Sequence, residues 1–278
     1  MFSIQKFIEC KLQQDNMPVV MGVLNVTPDS FSDGGRFVTS DTIEAQVLNL
    51  LSGGADILDV GGESTRPGAT AVSLSEELER VVPVIEWVTK RFDVIVSVDT
   101  YKPEVMQEAV AVGAKIINDV NALREEGAMD VVVDSGVSVC LMHKQGVFET
   151  MQDAPIYGNV LSDVRNFLLT RARCCEQAGV SADKIILDPG FGFGKTFEHN
   201  EVLFQNLDVL TALKYPLLVG VSRKRMIAEI LKTSSQLEGI VSGSVSAAVL
   251  AVLKGTEIVR VHDVKETVDA LKVTMRLM

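Results

Sequence analysis

The chain has 278 residues, of which 47% are hydrophobic and only 5% aromatic, and its formal net charge is −11. This length is normal for a single α/β barrel, and the apolar content allows a large core built from aliphatic side chains. No lysine- or arginine-rich run is present, so nucleic acid is excluded as a partner, because neutralising phosphates requires a basic face.

The N-terminal segment and the cysteines indicate a cytoplasmic protein. Lys6, Glu9 and Lys11 interrupt the first sixteen residues, which therefore do not form the apolar region of a signal peptide. The most apolar helical stretch, SVSAAVLAVLKG, is too short to span a bilayer, so no membrane partner is expected. The four cysteines lack the paired spacing of a metal site and suit a reducing compartment.

Eight short apolar runs rich in Val, Ile and Leu recur along the chain. Continuous apolar character, without polar alternation, is typical of strands buried on both faces of a parallel sheet. In chain order the runs are VVMGVLNV, ADILDVGG, DVIVSVDT, AKIINDVN, VSVCLMHK, DKIILDPG, YPLLVGVS and TEIVRVHD.

The segments between these runs are predicted to be amphipathic helices with recognisable ends. Ser73 and Glu76 have capping-box spacing at the start of one helix, and Asp263 and Glu266 have it at the start of the last. Pro103 stands near the first position of another helix, where proline is favoured.

The alternation of strands and helices predicts an α/β fold, a (β/α)8 TIM barrel. No linker divides the chain, so a single domain over residues 17–278 is expected. Residues 1–16 are predicted to be a short N-terminal extension that packs on the barrel. A doubly wound sheet is the structural alternative, although eight repeats favour the barrel.

Polar residues stand at the end of every predicted strand. One such residue is often only a helix cap. In a TIM barrel, however, the carboxyl ends of the strands converge on one face, where active sites are built. The residues are Asn25, Asp59, Asp99, Asn118, Asp119, His143, Asp188, Ser222 to Lys224, Arg260 and His262.

The residue types in this set indicate a ligand with two chemically different ends. Asp99, Asn118 and Asp188 suit a flat, nitrogen-rich heterocycle, because a carboxylate can accept two parallel N–H bonds. Arg260 and His262 lie two residues apart directly before the last helix, which predicts an anion site. A surface ion pair is the alternative interpretation of Arg260.

Two lysines allow other interpretations. Lys224 in GVSRKRMI could form a Schiff base, as in a class I aldolase, although its arginine neighbours favour a role as a hydrogen-bond donor. The segment DPGFGFGKT looks like a P-loop, but Pro189 stands where the Walker motif needs glycine. Asp188, and not Lys195, is therefore expected to be the functional residue of this segment.

Two long segments resemble a known family. GVLNVTPDSFSDGG (residues 22–35) and DVGGESTRPGA (residues 59–69) closely resemble the signature segments of the bacterial dihydropteroate synthases. The similarity continues through SVDTYKPEV, GAKIINDVNAL, IILDPGFGFGK and IVRVHDVKET, so it covers nearly the whole chain from about Met17. The resemblance implies a barrel-shaped, usually homodimeric transferase of folate biosynthesis with Mg²⁺ as cofactor. It would join 6-hydroxymethyl-7,8-dihydropterin diphosphate to p-aminobenzoate, giving 7,8-dihydropteroate and pyrophosphate.

The resemblance also implies roles for individual residues. The pterin ring would be held by Asp99, Asn118, Asp188 and Lys224, between the apolar walls Met142 and Phe193. The diphosphate would be bound by Asn25, Arg66, Arg260 and His262, with Asn25 also contacting Mg²⁺. The p-aminobenzoate pocket, where sulfonamides compete, would be shaped by Phe31, Thr65, Arg66 and Pro67. Catalysis would rest on Asp99, Asp188, Lys224 and Arg260, while loops 27–36 and 63–68 close over the site.

One residue departs from the family pattern, and two other functions compete. Arg225 stands where many relatives have a serine linked with the p-aminobenzoate carboxylate. A pterin-binding methyltransferase acting on methyltetrahydrofolate is the nearest rival, but its early loops would not be expected to carry TPDSFSDGG and ESTRPG. A barrel that only binds a pterin is the non-enzymatic alternative. For the synthase, Arg260→Ala is expected to impair diphosphate handling while a diphosphate-free pterin still binds nearly normally.

Overall fold

The computed structural model describes residues 2–26, 41–64, 71–147, 150–233 and 238–278. The elements of the first half are α1 (Ile4–Asp15), β1 (Val19–Asn25), α2 (Asp41–Gly53), β2 (Ile57–Gly61), α3 (Leu74–Arg91), β3 (Ile95–Asp99), α4 (Pro103–Ala111), β4 (Ile116–Asp119) and α5 (Ala128–Ser135). Those of the second half are β5 (Ser138–Met142), α6 (Val160–Ala178), β6 (Ile185–Asp188), α7 (Phe197–Gln205), α8 (Leu207–Thr211), β7 (Leu218–Val219), α9 (Arg225–Leu231), α10 (Glu238–Leu253), β8 (Ile258–Val261) and α11 (Val264–Leu277).

The eight strands form one parallel sheet that closes on itself. Their order is β6-β5-β4-β3-β2-β1-β8-β7, so neighbours in sequence are neighbours in space. The two ends of this order meet where Leu187 N donates to Pro216 O over 2.9 Å and Leu187 bridges to Leu217. The predicted TIM barrel is confirmed, and the doubly wound alternative is excluded.

Side chains alternate along each strand, and the inward set divides into an apolar floor and a polar upper layer. In β2, Ile57 belongs to the floor and Asp59 follows it two residues later. In β8, Ile258 belongs to the floor and Arg260 follows in the same way. The floor consists of Val19, Met21, Ile57, Ile116, Cys140, Ile186, Leu218 and Ile258. The sequence therefore changes from aliphatic to polar as each strand approaches its carboxyl end.

Helix α1 packs against this floor. Ile4 and Ile8 are buried in the same cluster as the inward side chains of the strands. Ser3 Oγ also donates to Asp183 O over 3.1 Å, directly before β6. Full burial of an isoleucine contributes about 1.5–3 kcal/mol, so these two side chains hold the helix against the amino-terminal end of the barrel.

The helix ends follow most of the predicted capping pattern. Ser73 Oγ accepts the Glu76 N–H over 3.3 Å at the start of α3, while the Glu76 carboxylate contacts Arg80. Pro103 is the first residue of α4, as predicted. In the part of the chain that the structure describes, no helix combines the length and the apolar content needed to cross a membrane.

Candidate active site

Polar side chains from four strands form one network at the carboxyl ends of the barrel. Arg260 donates from Nε to Asp59 Oδ2 over 2.6 Å and from Nη2 to Asp99 Oδ2 over 2.7 Å. Asn118 Nδ2 donates to the same Asp59 oxygen over 3.0 Å. Asp59 is fully buried, so Arg260 is part of the barrel interior and the surface-pair interpretation is excluded.

Two carboxylate oxygens of this network have no donor in the part of the chain that the structure describes. Among the described residues, the buried atoms Asp59 Oδ1 and Asp99 Oδ1 have no hydrogen-bond partner. Burial raises the pKa of Asp99 to about 7, even though the neighbouring Arg260 guanidinium acts to lower it. An unsatisfied buried acceptor costs about 1–3 kcal/mol, so a ligand that brings N–H donors would complete the arrangement.

Asp188 provides another carboxylate, at the end of β6. It is 6% exposed, and its Oδ1 accepts the Gly190 N–H over 2.7 Å. Burial raises its pKa, while Lys224 and Arg260 act in the opposite direction. Both cations therefore favour the charged form of this carboxyl group.

The predicted apolar walls come together beside Lys224. Met142 and Phe193 belong to one small apolar cluster, whose other buried members are Val120 and Met151. Lys224 Nζ lies 4.2 Å from the centre of the Phe193 ring, which is within cation–π distance. Lys224 is the residue directly before α9, outside the strand, and this position favours hydrogen bonding over Schiff-base formation.

Basic groups lie at the start of the last helix. Ser222 Oγ lies 3.1 Å from His262 Nδ1 and accepts the His262 N–H over 3.2 Å, so the loop after β7 orients this imidazole. Arg260 precedes it by two residues, and α11 begins at Val264. Because the N-terminus of a helix carries partial positive charge, this end of the site suits an anion.

The capping box predicted at the start of α11 is wrong. Asp263 occupies the cap position, but its side chain makes no capping hydrogen bond. Its carboxylate instead accepts two bonds from Arg223, from Nε over 3.0 Å and from Nη2 over 2.5 Å. A bidentate pair gives the carboxylate two hydrogen bonds from an opposite charge, whereas a cap would give it bonds from uncharged backbone N–H groups. The pair joins the loop that carries Lys224 to the loop that carries His262.

Arg223→Met and Asp263→Asn are each expected to destabilise the folded protein by about 1–2 kcal/mol, because each leaves a partly buried charge without its partner. The double variant should lose little more than either single variant, since both remove the same interaction. Urea unfolding of the three variants measures this coupling. Lys265→Met breaks an exposed pair with Asp269 on α11 and should change stability by less than about 0.5 kcal/mol. Fully additive losses at 223 and 263 would contradict the pairing.

The last two residues of the segment DPGFGFGKT have structural roles, which agrees with the rejection of a P-loop on the basis of Pro189. Lys195 is 3% exposed, and its Nζ donates to Gly190 O over 2.8 Å and to Phe193 O over 3.1 Å. Thr196 Oγ1 accepts the His199 N–H over 3.2 Å and so caps α7. Both side chains bind the protein backbone, and the P-loop interpretation is excluded.

Some predicted site residues lie outside the described residues. These are Phe31, Thr65, Arg66 and Pro67, together with loop 27–36 and all but the first two residues of loop 63–68. Asn25, the predicted metal contact, is the exposed last residue of β1, level with Gly61 of β2.

The available donors suit a metal ion that is bound mainly by substrate. In the described ranges, no group of three or more His, Cys, Asp or Glu side chains could hold a metal ion. Mg²⁺ usually takes one or two protein oxygens and completes its octahedron with waters and phosphate oxygens. The exposed Asn25 amide fits such a site, in which a diphosphate would supply most of the oxygens.

Comparison with known proteins identifies the family. Residues 21–262 match the model of the pterin binding enzyme family. The dihydropteroate synthase of Escherichia coli K12 is 50% identical over 256 residues, which cover 92% of this chain and 90% of that enzyme. The chain belongs to the dihydropteroate synthase family.

Solved structures of dihydropteroate synthases share the fold. The Xanthomonas albilineans enzyme with 4-aminobenzoic acid superposes with a TM-score of 0.87 at 50% identity, covering 94% of this chain and 93% of that one. The same enzyme in complex with 7,8-dihydropteroate gives a TM-score of 0.84 at 45% identity, covering 96% and 97%. The similarity therefore extends through the whole barrel of this family member.

Sequence reasoning assigns no role to two residues that organise this synthase site. The sequence places Asp59 among the polar strand ends, two positions after the floor residue Ile57, but nothing local identifies Arg260 and Asn118 as its partners. Lys102 gave no such signal. Its Nζ contacts Glu77 and donates to Glu63 Oε2 over 2.6 Å and to Val72 O over 2.8 Å, on both sides of residues 65–70. Only the folded chain brings these groups together.

Proposed function

We infer that this protein is a dihydropteroate synthase, which condenses 6-hydroxymethyl-7,8-dihydropterin diphosphate with p-aminobenzoate in folate biosynthesis. The observation that carries this inference is the single network at the barrel mouth. In this network Asp59 binds the guanidinium of Arg260, and carboxylate oxygens of the network have no donor among the described residues. Acceptors for a heterocycle therefore lie next to a donor for a diphosphate. Family membership and the match over nearly the whole chain support the same reaction.

The pterin end is assigned to Asp99, Asn118, Asp188 and Lys224. The two carboxylates accept N–H bonds from the ring, and the Asn118 amide orients it. Met142 and Phe193 pack on its faces. When the bond between the pterin methylene carbon and the diphosphate oxygen breaks, positive charge develops on the ring. Preorganised carboxylates stabilise that charge more strongly in a buried site than water does.

The diphosphate end is assigned to Asn25, Arg66, Arg260 and His262. Arg260 and His262 donate to phosphate oxygens and stabilise the negative charge that develops on the leaving group. Mg²⁺, held by Asn25 and the diphosphate, would supply further neutralisation of that charge when bound. The aniline nitrogen of p-aminobenzoate then forms the new carbon–nitrogen bond and loses a proton, and no protein nucleophile is needed. Thr65, Arg66, Pro67 and Phe31 are assigned to the p-aminobenzoate pocket.

Turnover by the purified protein tests the reaction. With Mg²⁺ and both substrates, it should release pyrophosphate and dihydropteroate in equal amounts. A coupled phosphate assay measures the pyrophosphate, and chromatography measures the dihydropteroate. Pyrophosphate released without p-aminobenzoate would indicate hydrolysis, and transfer of a methyl group from methyltetrahydrofolate would indicate the rival activity. Absence of both products at micromolar protein would refute the proposal.

Pterin binding is expected to release a proton from Asp99 near neutral pH. The pKa of this carboxyl is about 7 in the ligand-free protein, and N–H donors from a ring favour the charged form and lower it. Affinity should therefore rise between pH 6 and pH 8 and level off above, with up to about one proton released per pterin bound. Calorimetry of a diphosphate-free pterin in buffers of different ionisation enthalpy measures this release. Asp99→Asn should abolish it, and unchanged release in that variant would contradict the assignment.

A homodimer in the cytoplasm is also proposed. Large apolar side chains are exposed on neighbouring helices, with Leu250 and Leu253 of α10 being 50% and 46% exposed and Ile230 of α9 58% exposed. An exposed apolar surface of this kind suits association with a second copy. Sedimentation equilibrium would give the mass.

The four cysteines are all free, which suits a reducing compartment.

A further inference from the structure

A buried lysine outside the proposed substrate contacts lies at the centre of the turn between β6 and α7. Lys195 Nζ is 2.8 Å from Gly190 O, 3.1 Å from Phe193 O and 3.3 Å from His143 O. It also lies 3.0 Å from His143 Nδ1. An ammonium group has three donors, and four acceptors surround this one. The lysine thereby links the end of β5 to the turn after β6.

The carbonyl groups that Lys195 binds belong to residues that contact the site. Gly190 donates its N–H to Asp188 Oδ1 over 2.7 Å while its carbonyl accepts from Lys195. Phe193 packs its ring under Lys224 Nζ at 4.2 Å, and its carbonyl also accepts from Lys195. One ammonium group therefore binds the backbone of both Gly190 and Phe193. These two residues contact Asp188 and Lys224, the charged groups proposed to bind the pterin.

Within the turn, the Phe193 N–H donates to Gly190 O over 3.2 Å, and glycines allow the tight path of the chain. Gly190 and Gly194 adopt left-handed φ angles of 67° and 61°. A Cβ on Gly190 would come within 2.0 Å of His143 O, and one on Gly194 within 2.3 Å of Gln145 O. The chain therefore lies directly against the end of β5 and turns its carbonyls inward. Buried carbonyls need donors, and Lys195 is a donor to those of Gly190 and Phe193.

Lysine is a costly residue at this position. Burial lowers the pKa of Lys195 to about 7, because an ammonium group loses its hydration. Tyr157 Oη donates to Gly194 O over 2.7 Å and Gln152 Nε2 donates to Gly192 O, so neutral donors serve the same turn elsewhere. In its protonated form, which predominates below pH 7, the amine gives stronger hydrogen bonds than these neutral donors.

We propose that Lys195 is a positioning residue for the pterin site: its ammonium group holds the turn of residues 190–194 against the end of β5 and thereby sets the positions of Asp188, Phe193 and Lys224. It does not contact substrate itself. The inference rests on the proposed function, because it assumes that Asp188 binds the pterin ring.

Lys195→Met tests the proposal, since it keeps the chain length and removes the donors. Lys184→Met is the matched control. Lys184 directly precedes the first residue of β6, at the end of the strand opposite the site, and also donates to a backbone carbonyl, that of Gly136. Calorimetry with a diphosphate-free pterin should show that Lys195→Met weakens binding by about tenfold to a hundredfold, the usual effect of a small misplacement of binding groups. The KM for p-aminobenzoate should stay within twofold, and the control should bind pterin like the wild type.

Lys195→Gln provides a second variant that decides the matter if Lys195→Met does not fold. Its amide can donate two hydrogen bonds to the same carbonyls without charge, so its pterin affinity should lie between those of the wild type and Lys195→Met. Wild-type pterin affinity in a folded Lys195 variant would overturn the proposal, as would equal losses of pterin and p-aminobenzoate binding. Turnover by the wild type is measured in parallel. If the wild type forms no dihydropteroate, the proposed function fails, whereas an active wild type with unaffected variants refutes only the positioning role.

Discussion

Asp188→Ala is expected to weaken binding of a diphosphate-free pterin by at least about a hundredfold, because ring N–H groups would be buried without an acceptor. Asp188 is only 6% exposed, so water cannot easily replace its carboxylate as the acceptor of the ring N–H bonds. Sites that hydrogen-bond a ligand through buried groups discriminate strongly when one partner is missing. Isothermal calorimetry of the wild type and the variant measures the change.

Asp188→Asn separates loss of ligand binding from damage to the turn. The amide oxygen can still accept the Gly190 N–H, which the wild-type carboxylate accepts over 2.7 Å. Its NH₂ group, however, would face ring N–H donors. The variant should therefore unfold at nearly the wild-type urea concentration and still bind pterin poorly. Equal pterin affinity in the wild type and in both variants would remove Asp188 from the site.

Arg260→Met is expected to abolish turnover and to lower the free energy of unfolding by about 3 kcal/mol, because a buried carboxylate would lose its partner. Asp59 is fully buried, and its Oδ2 lies 2.6 Å from Arg260 Nε. The side chain also supports the diphosphate in the proposed mechanism, so loss of activity should exceed what the loss of stability explains. Urea unfolding and single-turnover kinetics measure the two effects separately.

The ion pair with Asp99 changes what sequence reasoning expects of this variant. From the sequence alone, Arg260→Ala spares the pterin. In the structure Arg260 Nη2 lies 2.7 Å from Asp99 Oδ2, so its loss should raise the pKa of Asp99 above its wild-type value of about 7. Pterin affinity should then fall at pH 7 and recover at pH 9. The double variant Arg260→Met/Asp59→Asn should regain part of the lost stability. A single variant as stable as the wild type would contradict this account.

The barrel could be predicted from the sequence because its signal is local. Strands buried on both faces need continuous aliphatic runs, and polar residues at their ends then share one face by topology. The network inside that face could not be predicted. Arg260 and Asp59 are 201 positions apart, and whether a guanidinium points to a solvent anion or to a buried carboxylate depends on packing. The capping box at Asp263 failed for the same reason, since Arg223 reaches it from the loop after β7.

Lys195 shows a different limit. Its motif looks like a phosphate loop, and Pro189 is enough to reject that interpretation. Nothing local shows where the ammonium group goes instead. Its acceptors include His143 at the end of β5, so the role of this lysine depends on how two loops pack together.

The central claim is that one pocket holds a pterin at its Asp188 end and a diphosphate at its Arg260 end. A crystal structure of the protein with a pterin and pyrophosphate tests it most directly. The account predicts Asp188 and Asp99 within hydrogen-bonding distance of ring nitrogens, and Arg260 and His262 within that distance of pyrophosphate oxygens. Pyrophosphate bound at the Asp188 end, or a pterin bound away from both carboxylates, would contradict it.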